Sequence, residues 1–428
     1  MDRFIWNDLT PAQQDIVLSR PAVDDGSAIE ASAQSIIENV RQRGDEAVLD
    51  YTQKFDGVPL KRLRLYEEEI KQAVYQISKE AKQAIDTAYA NIEKFHLSQG
   101  FKEFDVEVQD GIKCQRKSIP LNVVGLYIPG GTAPLVSTTL MCSVPAKIAG
   151  VKETVLCTPC DREGNINPHI LYAASLCGIT QIFKIGGAQA IAAMAFGTDS
   201  VTKVDKIYGP GNAYVTHAKR LVGQDPIGAA YDLPAGPSEV LVIADETTNP
   251  KFAAADLLSQ AEHDMLSQVV LLTPSKKQAD KIVKEVERQI KKLPREEIAR
   301  SAISNSRVII TDDLTQAIQI SNKYAPEHLI LSFDTAEDYV DQITCAGSVF
   351  VGHYACESAG DYCSGSNHVL PTYGYARQYS GLSVEAFQKT ITFQRISQKG
   401  LNGIADTIET LARLEGLEAH ARAVSIRR

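Results

Sequence analysis

Glu327 and His328 stand side by side after Ala325-Pro326 and ahead of the apolar run Leu329-Ile330-Leu331. Proline disfavours helical geometry in the residue before it, so a helix arriving here must stop. The pair is therefore expected on a loop where a helix gives way to a strand. Imidazole titrates near neutral pH, and a neighbouring carboxylate can take a proton or activate water. A histidine satisfying helix-end carbonyls beside a solvated glutamate would read the same way, so these two residues alone leave both readings open.

Three other places offer chemistry. Asn249-Pro250 reads as an N-cap followed by proline at the first helical position, opening a helix to about His263. Gln260 and His263, three residues apart, would share one face of it, which makes either half a metal site or an ordinary polar face. The run from Gly360 to Pro371 packs Asp361, Ser364, Ser366, Asn367 and His368 between glycines. Asp361 could ligate a metal there, and His368 could ligate or bind a substrate, whereas a plain surface loop seldom carries so many such groups. Near the chain end, Glu415 and His420 sit in a helical stretch and by themselves mean little.

Elements that could position these groups alternate from about residue 122. Strands are expected at 123–128, 154–157, 182–185, 239–244, 269–272, 308–310, 329–331 and 349–351, with helices between most of them. Strand-helix-strand order predicts parallel sheets with right-handed crossovers. The Gly-Pro-rich stretch 232–237 falls between two such units. Helical spacing covers 29–53 and 67–95, and the last thirty or so residues also read as helix. Two glycine turns, Ile128-Pro129-Gly130-Gly131 and Ile185-Gly186-Gly187-Ala188-Gln189, follow strands and open helices, where bare N–H groups can bind phosphate. Neither is GxGxxG, and a tight packing turn explains them equally well.

Composition sets the outer limits. The chain has 428 residues, 44% hydrophobic and 23% charged, a globular balance with room for two or more domains. Its net charge of -9 argues against a nucleic-acid partner. No basic segment followed by an apolar core opens the sequence, and no apolar run reaches the ~20 residues that span a bilayer. The expectation is a cytoplasmic protein without membrane contact. The eight cysteines are scattered and read as reduced thiols. Cys157 and Cys160 have CxxC spacing, but no second CxxC accompanies them to make a zinc ribbon.

Taken together, these segments resemble the histidinol dehydrogenase family. The matching stretches are LYIPGGTAPLVSTTLM from Leu126, IGGAQAIAAMAFGT from Ile185, KIYGPGN from Lys206, DLPAGPSEVLVIAD from Asp232, DLLSQAEHD from Asp256, YAPEHL from Tyr324, GDYCSGSNHVLPT from Gly360 and EGLEAHARAV from Glu415. They run in order over nearly the whole chain. Two departures stand out: Ser366 where the family has proline, and the unusual His353-Tyr354-Ala355-Cys356 before Glu357. Neither replaces a proposed ligand or base.

The resemblance implies an α/β fold of two parallel-sheet, incomplete Rossmann-like units with helical N- and C-terminal extensions. It implies an N-terminal helical arm (1–25), a large domain (26–126 plus 238–382) carrying most of the site, an NAD-binding domain (127–237) and a C-terminal segment (383–428) reaching a partner subunit. The implied reaction is the oxidation of L-histidinol to L-histidine with two NAD and one zinc ion, in a homodimer. Zinc is implied on Gln260, His263, Asp361 and His420. These are nitrogen and oxygen donors suited to a chemically active site, and the metal holds the substrate. Ser238, His328, His368 and Glu415 are implied as further substrate contacts, and Tyr127, Gln189 and Asn212 as NAD contacts. His420 and Glu415 are implied to act in the other subunit's site. His328 would remove the hydroxyl proton and act again in the second oxidation, while Glu327 activates water for the aldehyde hydrate. A cysteine thiohemiacetal through Cys142 or Cys157 is a competing route, but both lie in apolar runs suited to inert thiols. Two other functions compete: a paralogous zinc dehydrogenase of another hydroxylated metabolite, which Glu415 disfavours, and a non-enzymatic binding relative, which the retained Glu327, His328 and ligand set disfavour.

Overall fold

The computed structural model describes residues 1–21, 26–130, 134–234 and 236–428. Gly131 of the first glycine turn, Ala235 of the stretch between the two units, and the expected boundary at residue 25 lie outside the described residues.

Two parallel sheets form the frame. One has six strands in the order Asp2–Ile5, Arg307–Ile310, Gln268–Thr273, Glu239–Ala244, His328–Ser332 and Ser348–Val351. All of its pairs are parallel. The other has five: Gln181–Lys184, Glu153–Thr158, Val123–Tyr127, Lys206–Tyr208 and Ala230–Tyr231, again all parallel. Central strands such as Glu239–Ala244 and Gln268–Thr273 are buried along their whole length, as continuous β-branched and leucine runs between two helical layers require. The expected fold class is therefore borne out. Polar caps open several helices where the sequence places them: the Asn249 side chain accepts from the Lys251 N–H at 3.0 Å, and that of Asn212 from the Val215 N–H at 3.1 Å.

Several expectations need correction. The N-terminal arm begins as a strand, because Asp2–Ile5 pairs with Arg307–Ile310 and becomes the sheet edge. The stretch 29–53 is two helices, Ser27–Arg43 and Asp45–Asp56, broken at Gly44, whose φ of 55° a side chain resists. The stretch 67–95 is likewise Glu67–Tyr75 and Lys79–His96, the second opened by Ser78 accepting from the Ala81 N–H at 3.2 Å. These helices pack on the five-stranded sheet: Ala33, Ile36, Val40 and Val48 join Tyr127, Val155 and Phe183, while Ile70, Ile85 and Ile92 join Val124, Leu126 and Leu156. The helices between 27 and 96 thus cover the five-stranded sheet, and Val369 and Leu382 join the same core from beyond 238.

A third, antiparallel sheet had no counterpart in the sequence reading. Gln388–Ile396 pairs with Ile112–Pro120, which pairs with Phe104–Gln109. The C-terminal helices Gln398–Leu414 and Glu418–Ser425 follow it and pack mainly on each other. Among the described residues, no helix is long and apolar enough to cross a membrane.

Candidate active site

The chain turns sharply before the catalytic candidates. Helix Leu314–Tyr324 ends at Ala325, which adopts a left-handed φ of 55°, and Pro326 prevents any continuation. Glu327 occupies the short link and His328 is the first residue of its strand. Both are buried. The neighbouring strand begins with Glu239, and this one residue holds them both. Its N–H donates to Glu327 Oε2 at 2.8 Å, and its carbonyl lies 3.0 Å from His328 Nδ1. A carbonyl accepts, so Nδ1 carries a proton there, and when the ring is neutral Nε2 is the free nitrogen. Nε2 is buried without a hydrogen-bond partner and lies 3.6 Å from Asp361 Oδ1.

Gln260 reaches the same point from helix Pro250–Ala261. Its Nε2 lies 3.4 Å from Glu327 Oε2, 3.4 Å from the Glu239 carbonyl and 3.3 Å from His328 Nδ1. Its Oε1 is buried and unpartnered. His263 is not on this helix, which ends at Ala261; it follows in a turn, its N–H on the Gln260 carbonyl at 3.2 Å, at the solvent-exposed rim. It is still close enough to feel the charges of Asp361 and His328. Ser238 immediately precedes Glu239 at the same sheet end.

The stretch 360–371, expected as one loop, begins inside helix Glu357–Tyr362, which carries Asp361. His368 Nδ1 lies 2.9 Å from the Asp361 carbonyl, and its Nε2 lies 3.1 Å from Thr138 Oγ1 on a helix of the other sheet. The sequence reading missed Glu357. It is fully buried, its Oε1 has no partner, and Ser259 Oγ lies 3.3 Å from its Oε2. One signal was available: Glu357 and Asp361 are four residues apart on helix Glu357–Tyr362 and so share a face. His328, Glu357 and Asp361 bring potential ligand atoms within 4.8 Å of one another.

Charge crowding shifts these groups. Burial pushes the Glu327 carboxyl up to about 8, and likewise that of Glu357 to about 8. Burial works against a charged His328, but Glu327, Glu357 and Asp361 more than offset it and raise its pKa to about 10. Asp361 is held below its ordinary value: burial opposes this, and the His328 contact prevails. Three carboxyl groups around one imidazole, with an unpartnered amide oxygen beside them, form a nest that favours positive charge.

Glu415 and His420 are not drawn into this cluster within one chain. Both are exposed on the C-terminal helix pair.

The remaining candidates meet elsewhere, in a cavity of about 730 Å³ at the five-stranded sheet, lined by Tyr127, Gly130, Gly186, Gly187, Gln189 and Asn212. Tyr127 Oη accepts from the Gly187 N–H at 3.0 Å. Gln189 Oε1 is buried without a partner. A Cβ on Gly130 would come within 2.3 Å of Pro159 and one on Gly186 within 2.8 Å, so glycine lets the backbone approach closely.

Comparison with known proteins agrees with this geometry. The sequence model of the histidinol dehydrogenase family matches residues 18–428. The chain belongs to the histidinol dehydrogenase family. It is 53% identical over 427 residues to histidinol dehydrogenase of Aliivibrio fischeri, covering 100% of this chain and 96% of that one. With histidinol dehydrogenase of Escherichia coli K12 it shares 54% over 422 residues, covering 99% and 96%. The crystal structure of histidinol dehydrogenase from Elizabethkingia anophelis superposes with a TM-score of 0.96 at 49% identity, covering 100% of this chain and 98% of that chain. As a member of the histidinol dehydrogenase family, the chain is an oxidoreductase acting on CH–OH groups.

Proposed function

We propose that the chain oxidises L-histidinol to L-histidine through bound L-histidinaldehyde, the last step of histidine biosynthesis, with two NAD and one zinc ion per site. The observation that carries this reading is the buried meeting of Glu327, His328, Gln260 and Asp361 around unpartnered atoms.

His328 Nε2 is the proton acceptor for the substrate hydroxyl in the first oxidation and for the aldehyde hydrate in the second. Its tautomer is fixed through Nδ1. Glu327 activates the water that hydrates the aldehyde, and a carboxyl raised to about 8 suits a general base near neutrality. Gln260 through its free Oε1, His263, Asp361 and His420 of the partner subunit would hold the zinc. When bound, zinc would supply positive charge that holds the substrate and, through Asp361, would offset part of the carboxylate charge facing His328. Ser238, His368 and the partner subunit's Glu415 complete the substrate contacts. The glycine-lined cavity with Tyr127, Gln189 and Asn212 would take NAD, which would supply the hydride acceptor for each oxidation. Keeping the aldehyde bound between steps protects a reactive species from water and side reaction.

A homodimer with shared sites is supported by the C-terminal segment. Leu411, Leu414, Leu417 and Ile426 are 55%, 78%, 43% and 82% exposed, apolar surface that a partner subunit would cover. A cytoplasmic setting agrees with eight free cysteines.

NADH formed per histidinol consumed tests this reading. Two equivalents, lost on chelation and restored by zinc, are expected. One equivalent, or full turnover in metal-stripped protein, would overturn it.

A further inference from the structure

Glu239 holds the catalytic pair through its backbone, so whatever fixes Glu239 sets their geometry. Its side chain is engaged by Arg20, far away in sequence. Arg20 Nε donates to Glu239 Oε1 at 2.5 Å and Nη2 to Oε2 at 3.0 Å, a two-pronged contact. The same Nη2 donates to the carbonyls of Tyr324 at 2.8 Å and Ala325 at 3.3 Å. The guanidinium carbon lies 4.0 Å from the centre of the Tyr324 ring. One side chain thus fastens both approaches to the pair: the strand start that binds it and the turn that delivers Pro326 and Glu327.

Tyr373 completes the arrangement. Its N–H donates to Glu239 Oε1 at 2.9 Å, and its hydroxyl donates to the Pro21 carbonyl at 2.5 Å. It does so at a left-handed φ of 59°, a conformation that a non-glycine residue keeps only where its surroundings enforce it.

The side chains of Arg20 and Glu239 are only 10% and 2% exposed. A buried ion pair is a poor source of stability, because desolvating two charges offsets their attraction, and an apolar pair often serves a core as well. What a buried guanidinium does supply is rigid, planar placement of several donors at once, which a lysine cannot copy.

We infer that Arg20 is a positioning residue for the oxidation. It holds Glu239 and the Tyr324–Ala325 turn in the one arrangement that aims Glu327 and His328. It touches no substrate. The inference rests on the proposed roles of Glu327 and His328.

The test uses full-length Arg20→Lys and Arg20→Ala beside Glu327→Gln and His328→Asn. For each, kcat and KM are measured with histidinol and with histidinaldehyde, and rates are divided by the folded fraction from circular dichroism. Arg20→Lys keeps the charge and loses the fork. Its kcat should fall about 100-fold in both oxidations with KM nearly unchanged, as for catalytic groups shifted by about 1 Å. Ethylguanidinium should restore kcat in Arg20→Ala, and ethylamine at the same concentration should not. If Arg20→Ala fails to fold, Arg20→Lys decides alone. Wild-type kcat in folded Arg20→Lys, with Glu327→Gln and His328→Asn inactive, would overturn the positioning role. Full activity in those two catalytic variants would instead overturn the reading of the pair.

Discussion

The two parallel sheets are built alike and used from opposite ends. In the five-stranded sheet, Tyr127 and Thr158 end their strands, Pro159 follows the second, and Gly186, Gly187 and Asn212 lie just beyond two more. The cavity therefore lies at the carboxyl ends of the strands, where helices begin: Pro168–Leu176, Gly187–Phe196 and Ala213–Gln224. Helix N-termini carry partial positive charge and free N–H groups, which suits a pyrophosphate. In the six-stranded sheet, Glu239 and His328 begin their strands. The cluster lies at the amino ends, where helices Pro250–Ala261 and Leu314–Tyr324 finish. Helix C-termini favour cations, and Gln260 and His263 stand at such an end. One architecture thus offers an anion-seeking end on one sheet and a cation-seeking end on the other.

That contrast can be broken at each end. The largest effect is expected from Glu327→Gln, which keeps the shape and removes the base. Oxidation of supplied histidinaldehyde should slow by about 1000-fold, within the range general-base removal costs, and the alcohol step by less. Wild-type aldehyde oxidation would remove Glu327 from water activation.

Next comes His263→Asn at the cation-seeking end. Zinc content measured by atomic emission and turnover should fall together, by about 100-fold in affinity or activity, while NAD binding by calorimetry persists. Activity retained without metal would sink the zinc assignment.

The smallest effect is expected at the other sheet. Gly187 has a φ of 65°, and a Cβ there would come within 2.7 Å of Gln189 Oε1. Gly187→Ala strains the backbone by roughly 1–3 kcal/mol and should raise the Kd for NAD about tenfold or more. Zinc content should not change. Equal loss of both ligands would mean that the two ends are not separable.

The competing thiol route finds no support. Cys142 and Cys157 are wholly buried, and burial pushes both thiols far above their ordinary range. A nucleophilic cysteine needs the opposite environment.

Much of the site was legible before any coordinates. Pro326 located the helix stop ahead of Glu327, Asn249-Pro250 opened the helix that carries Gln260, and the stretch 360–371 holds Asp361 and His368, although Asp361 sits on a short helix rather than a loop. Where the reading failed, the deciding forces were not local. His263 was placed on a helix that ends two residues earlier. Asp2–Ile5 became a strand only because Arg307–Ile310 offered an unpaired edge. The helices from 27 to 96 chose the five-stranded sheet by fitting its two faces.

The sequence by itself determined most of the strand and helix order and the identity of most of the candidate groups, because caps, proline stops and apolar runs act within a few residues. Only the tertiary structure brought Glu239, Arg20 and Glu357 to Glu327 and His328 and assigned opposite sheet ends to the two candidate sites. Those contacts join residues as far apart as Arg20 and Ala325, 305 positions along the chain. Nothing in local propensity encodes such a meeting; it follows from how sheets stack their strands and from the need to partner every buried charge.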